Sequence, residues 1–141
     1  MDMQNAFQNL NWAAIIVAAV SAFALGALWY SPLLFSKRWM KESGVSQEDA
    51  ENANMVKTFG LAFMLSLVAS FFLAMFIGAD AGAGFGALAG FMAGLGWVFT
   101  FMGIIYLFEQ KSLALFLINS LYSVAALTLM GFIIGVWKEK V

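Results

Sequence analysis

Charged residues leave four runs of this chain untouched: 3–36, 58–79, 81–108 and 112–137. Each run exceeds the ~20 apolar residues that cross a hydrocarbon layer about 30 Å thick, so the pattern predicts four transmembrane helices. Inside such a layer the backbone has no water to bond, and a helix satisfies its amides and carbonyls internally. The first helix is expected over 11–30, with Asn11 as cap, Trp12 at one interface and Trp29 and Tyr30 at the other. Pro32 suits the first turn of a new helix, because its missing amide hydrogen would have no partner there. Leu33, Leu34, Phe35, Trp39 and Met40 alternate with Lys37, Arg38 and Lys41, which predicts a short interfacial helix over 32–43, ended by Gly44.

Ser46 and Asp49 form a capping pattern, so the next helix is expected to start at Gln47 and run unbroken to Gly78. Such a helix is roughly 46 Å long at ~1.5 Å per residue, and its first turns project into water. Glu48, Asp49 and Glu51 then sit near its amino terminus, where negative charge is favoured. After a glycine-rich turn carrying Asp80, the third helix is expected over 83–108. Glu109-Gln110-Lys111 makes a polar corner, and Ser112 caps a fourth helix over 112–137, which Lys138-Glu139-Lys140 follows. The fold class is therefore an all-α integral membrane protein, one domain over 1–141. Its short corners imply an up-down four-helix bundle with the interfacial helix between helices 1 and 2.

Composition narrows the chemistry more than it extends it. The chain is 63% hydrophobic and 11% charged, with seven Lys and Arg, eight Asp and Glu, and neither cysteine nor histidine. That inventory excludes disulfides, cysteine- and histidine-bound zinc and histidine-based triads, and no metal site or cofactor is expected. A net charge of −1 gives no basic face for nucleic acid. The amino terminus carries Asp2 and no basic residue, the wrong flank for a cleaved signal, so the first helix is expected to stay. Lys37, Arg38, Lys41, Lys57 and Lys111 fall on one side and Lys138 and Lys140 on the other. Five against two predicts a multi-pass protein with both termini outside the cytoplasm and the loop 36–57 within it, where a protein partner can reach it.

Lipid tails give no hydrophobic push between helices, so close approach through small residues carries much of the packing. Gly82, Gly86, Gly90 and Gly94 recur every four residues on the third helix; Ala14, Ala18, Ala22 and Gly26 do so on the first. On the second the stripe is Ser66, Ser70, Ala74 and Gly78, and on the fourth Ser123, Gly131 and Gly135 are interrupted by Leu127. The stripes are expected to hold one protomer together, the alternative being that the third-helix stripe joins two. Ser21, Ser66, Ser70, Thr100, Asn119, Ser120, Tyr122, Ser123 and Thr128 fall at hydrocarbon depth. Hydroxyls can return to the carbonyl four residues earlier, whereas Asn119 needs an interhelical partner or a solute. Trp97, in mid-helix, is expected to fill space opposite a small-residue stripe or to wall a cavity.

Asn11-Trp12, then Gly26-Ala27-Leu28-Trp29-Tyr30-Ser31-Pro32 and Trp39-Met40, resemble the opening of a bacterial family called domain of unknown function 1761. Leu107-Phe108-Glu109-Gln110-Lys111-Ser112-Leu113, Leu117-Ile118-Asn119, Tyr122, Met130-Gly131 and Gly135-Val136-Trp137 resemble its closing half. The resemblance implies a small four-helix protein of the bacterial inner membrane and brings no catalytic residue. It also implies that glycine is common at the position of Gln110, and that histidine can stand where this chain has Ser123.

Two functions fit. The first is a non-enzymatic homo-oligomeric module, structural or accessory, surrounded by membrane lipids. The second is a passive channel or transporter for a small solute or ion, with Ser21, Ser66, Ser70, Thr100, Asn119 and Tyr122 along its path. A proton-driven exporter needs a carboxylate at depth, and none falls within the four runs. Glu109, the nearest, is expected at the cytoplasmic corner, paired with Lys111, Lys37 or Arg38. No nucleophile and base can be matched, so an enzyme is not expected.

Overall fold

The computed structural model describes residues 2–78 and 81–139, the side chains of Lys138 and Glu139 excepted. Asp80 and Lys140, which the sequence places in a turn and after the fourth helix, lie outside the described residues. Every regular element described is helical: α1 (Met3–Gln8), α2 (Trp12–Trp29), α3 (Ser36–Ser43), α4 (Gln47–Asn52), α5 (Met55–Ile77), α6 (Ala83–Ala93), a π-helical turn (Gly94–Phe99), α7 (Thr100–Phe108) and α8 (Leu113–Glu139). Four helices are long and apolar enough to span a membrane, Trp12–Trp29, Met55–Ile77, Ala83–Phe108 and Leu113–Trp137, which is consistent with a multi-pass membrane protein.

The caps read from sequence form where the residues allow. The Asn11 side chain accepts from the Ala14 amide and the Ser112 hydroxyl from the Leu115 amide, both at 3.1 Å. Ser46 and Asp49 close a full capping box. Gly44 ends α3 with φ at 77°, a left-handed conformation that glycine adopts without penalty.

Two boundaries depart from expectation. The helix expected to run unbroken over 47–78 is two helices. Ala53 is extended, with ψ at 151°, and the Asn54 side chain accepts from the Lys57 amide at 3.1 Å, capping α5 afresh. An asparagine that bonds its own backbone competes with helix continuation, and here that local bond ends α4. The interfacial helix starts at Ser36, four residues later than the expected Pro32. Pro32 occupies the second position of a tight turn closed by the Leu34 amide on the Ser31 carbonyl at 3.0 Å, while the Phe35 amide bonds back to the Trp29 carbonyl at 3.1 Å. α1 and the π-helical turn have no counterpart among the elements expected from sequence.

The core gathers Ile15, Ala18 and Ala22 of α2, Leu73, Ala74 and Ile77 of α5, and Ala126, Met130 and Ile134 of α8. The α2–α5 contact runs from Trp12 stacked on Phe71, with Phe7 of α1 tilted against the same ring, through the Ser70 hydroxyl donating to the Ile15 carbonyl at 2.8 Å, to Phe23 against Phe59 and Phe63. Numbers rise on one helix as they fall on the other, so the pair is antiparallel. The third span is held differently. Gly86 faces Gly131, Gly90 faces the main chain of Leu127, Gly94 faces Val124, and Gly135 faces Gly82, again antiparallel. A Cβ at Gly94 would lie 2.8 Å from the Val124 Cα. The stripe therefore packs within one chain, and Leu127 does not interrupt the approach because only its backbone meets Gly90.

The corner between α7 and α8 contains the one non-glycine residue with positive φ among those described, Gln110 at 58°. A non-glycine L-residue in that conformation costs roughly 1–2 kcal/mol. Gln110→Gly is expected to raise unfolding stability in detergent by about 0.5–1 kcal/mol, after glycine's own entropy cost. A destabilised variant would mean that the glutamine side chain contributes more than the strain removes.

Candidate functional site

The family-like segments at the two ends of the chain, distant in sequence, meet in space where α2 ends beside the second and third turns of α8. The Trp29 indole donates to the Ile118 carbonyl at 2.9 Å, and the Tyr30 hydroxyl donates to Asn119 Oδ1 at 2.8 Å. Asn119 Nδ2 in turn donates to the Tyr106 hydroxyl of α7 at 2.9 Å. One asparagine thus links the first, third and fourth spans. The Tyr122 hydroxyl donates to the Ala22 carbonyl at 2.9 Å. Gly26 makes room for it, since a Cβ there would stand 3.1 Å from that hydroxyl. Tyr30 and Tyr122 meet edge to face at 5.4 Å, Trp29 lies 5.0 Å from Phe35, and Trp39 of α3 closes on Tyr30 at 5.9 Å. These ring geometries are favourable beyond the area they bury.

α3, beside this junction, carries an internal ion pair. Arg38 Nε and Glu42 Oε1 pair at 2.9 Å, one turn apart. The Ser112 hydroxyl, and after it the charges of Arg38 and Lys41, hold the Glu42 carboxyl below its ordinary value against the opposing effect of desolvation. Ser112 thus caps α8 close to the Glu42 carboxyl. Glu109 and Lys111 are exposed at the α7–α8 corner, and Glu109 forms no ion pair among the described residues, contrary to the expected pairing with Lys111, Lys37 or Arg38.

A half-open cavity of about 770 Å³ lies over the junction, with Asn119 and Tyr30 among its lining residues. Trp39 and Phe59 add aromatic walls, and Ser36 and Lys37 bring polar groups from α3. A second, almost wholly apolar hollow of about 640 Å³ lies along α8 between Trp29 and Phe132.

A family model described as a protein of unknown function (DUF1761) matches residues 13–135, nearly the full chain. The chain belongs to the DUF1761 family. No curated protein and no solved structure matches it. The DUF1761 match runs from the first turn of α2 to the last part of α8, and so contains every residue of the junction.

The other residues named from sequence in this DUF1761 chain do not converge. Ser21 donates to the Ala18 carbonyl, Ser66 to Ala62, and Thr128 to Val124. Thr100 Oγ1 donates to the Gly96 and Trp97 carbonyls at 2.9 and 3.0 Å. Ser70 bonds across to α2, as above. Ser123 returns to the Asn119 carbonyl at 3.2 Å. Trp97 is 63% exposed, so it neither fills space opposite the glycine stripe nor walls a cavity. Ala18 and Ala22 are buried in the core and Gly131 lies on the α6 contact. Sequence reasoning singled out Asn119 and Tyr122 but not Tyr106 or the donor role of Trp29 and Tyr30. Their placement near helix ends, where aromatics are commonplace, hid them.

Ser120 is fully buried and its hydroxyl has no partner among the described residues. Leaving such a group unpaired costs about 1–3 kcal/mol. Ser120→Ala is accordingly expected to be neutral or to stabilise by about 1 kcal/mol, whereas Ser70→Ala should lose roughly 0.6 kcal/mol. Unfolding in detergent separates the two; equal losses would mean that Ser120 has a bonding role.

Proposed function

We propose that this DUF1761 protein is a non-enzymatic module of the bacterial inner membrane: an up-down four-helix bundle with both termini outside the cytoplasm, associated with further copies of itself. The observation that supports this most is how the polar groups of the spans are used. Each hydroxyl named for a conduit is bonded to a backbone carbonyl, and Asn119 has a tyrosine on each side. Groups so engaged hold helices together and offer little to a passing solute.

The antiparallel α2–α5 and α6–α8 contacts favour the up-down order. Lys37, Arg38, Lys41, Lys57 and Lys111 favour a cytoplasmic 36–57 loop, where a protein partner can also dock. Because the glycine stripe is used inside the chain, self-association falls to the outer side of the third span, where Trp97 stands. Reconstituted vesicles test the module reading: leak of small neutral solutes and ions should equal that of protein-free vesicles. Rapid flux that Asn119→Leu abolishes would replace the module with a conduit. A cysteine added at the carboxy terminus should label in intact cells, and labelling only after lysis would invert the orientation.

A further inference from the structure

The cavity over the junction has a depth, a shape and a charge that together specify an occupant. Tyr30 directly follows the first span, Met55 is the first residue of the second, and Asn119 lies in the second turn of α8; all three line the cavity. The first span ends and the second begins beside it, and the fourth has run less than two turns, which puts the cavity close to where hydrocarbon gives way to headgroups. Its lining is divided accordingly. Met55 and Phe59 form an apolar wall along the start of α5, and α3 supplies the polar side.

Lys37 is the one charged side chain among the described residues that lines the cavity. Its neighbour Arg38 is neutralised by Glu42, whereas Lys37 forms no ion pair among the described residues. The Ser36 hydroxyl and the Trp39 indole N–H likewise donate to no described protein acceptor. Three donors with one net positive charge, set beside an apolar wall at the boundary of the bilayer, match an anionic headgroup that carries a tail.

We propose that this cavity binds the headgroup of an anionic lipid. Lys37 supplies the counter-charge, Ser36 and Trp39 bond the headgroup oxygens, and the first carbons of an acyl chain lie along Met55 and Phe59. The assignment goes beyond the module reading and does not depend on self-association or on the absence of flux.

The test uses the full chain in uncharged detergent, with bound lipid counted by native mass spectrometry as phosphatidylglycerol or phosphatidylcholine is titrated. Phosphatidylglycerol should bind the more tightly, and Lys37→Gln should weaken it by about fivefold, the effect of one lysine near an anionic surface. Lys37→Arg should retain the preference, and Ala50→Trp, which fills the cavity from α4, should remove it. Lys57 is absent from the lining, so Lys57→Gln should leave binding unchanged. Equal binding of the two lipids, or equal losses for Lys37→Gln and Lys57→Gln, would overturn the proposal in favour of general surface attraction. Saturation by inorganic phosphate as readily as by lipid would also overturn it, by removing the role of the tail. Lys37 is exposed, so Lys37→Gln should unfold at the parent's temperature; a lowered one would attribute the loss of binding to the fold and count against the site.

Discussion

Gly90→Leu should cost this protein more than any other single change proposed, more than about 3 kcal/mol of unfolding stability in detergent. A Cβ at Gly90 would run into the Leu127 carbonyl oxygen, with the carbonyl carbon 2.6 Å away and the Thr128 Cα at 3.1 Å. All three atoms belong to backbone, which cannot turn aside as a flexible side chain can. The two helices must part, and the approaches at Gly86 and Gly94 part with them. Gly84 is the control: it lies on the same helix, and a Cβ added there would have nothing within 4 Å. Gly84→Ala should be neutral or gain up to about 1 kcal/mol from helix propensity. Oligomer size should not change in Gly90→Leu beyond what unfolding causes. A stable Gly90→Leu monomer with altered oligomer size would show that the stripe works between copies.

Asn119→Leu is expected to have the next largest effect, about 2–3 kcal/mol. Two interhelical hydrogen bonds disappear, each worth on average about 0.6 kcal/mol in membrane proteins. The Tyr30 hydroxyl also loses its acceptor, and the Tyr106 hydroxyl its donor, in a partly buried setting where an unmet polar group costs about 1–3 kcal/mol. A double-mutant cycle with Tyr30→Phe separates the two contributions, with a coupling of at least about 0.5 kcal/mol expected for groups in direct contact. Additive losses, or an Asn119→Leu cost under about 0.5 kcal/mol, would reduce the junction to coincidental proximity.

The four spans were legible because hydrocarbon length and the exclusion of charge are one-dimensional constraints, readable run by run. The caps at Asn11, Ser46 and Ser112 were legible for a similar reason, since each is a bond closed within three or four residues. Asn54 obeys the same chemistry as Asn11, yet it sits inside a polar stretch, Glu51-Asn52-Ala53-Asn54, where the Ser46 cap had already assigned a helix. Two valid local signals competed and the nearer one ended α4. The role of the glycine stripe could not be decided from sequence, because small residues permit close approach without naming the partner; the Gly90–Leu127 contact names it. The junction was half legible. Asn119 stood out as an amide at depth, but its acceptor and donor both come from tyrosines on other spans, and that pairing exists only in three dimensions.

The break at Ala53 has a mechanical meaning. A continuous α-helix passes both pull and twist along its axis, whereas two extended residues, Ala53 and Asn54, interrupt the hydrogen-bonded ladder that would carry twist. A rotation of α4 at the surface is therefore passed to the second span less fully than a pull along the chain.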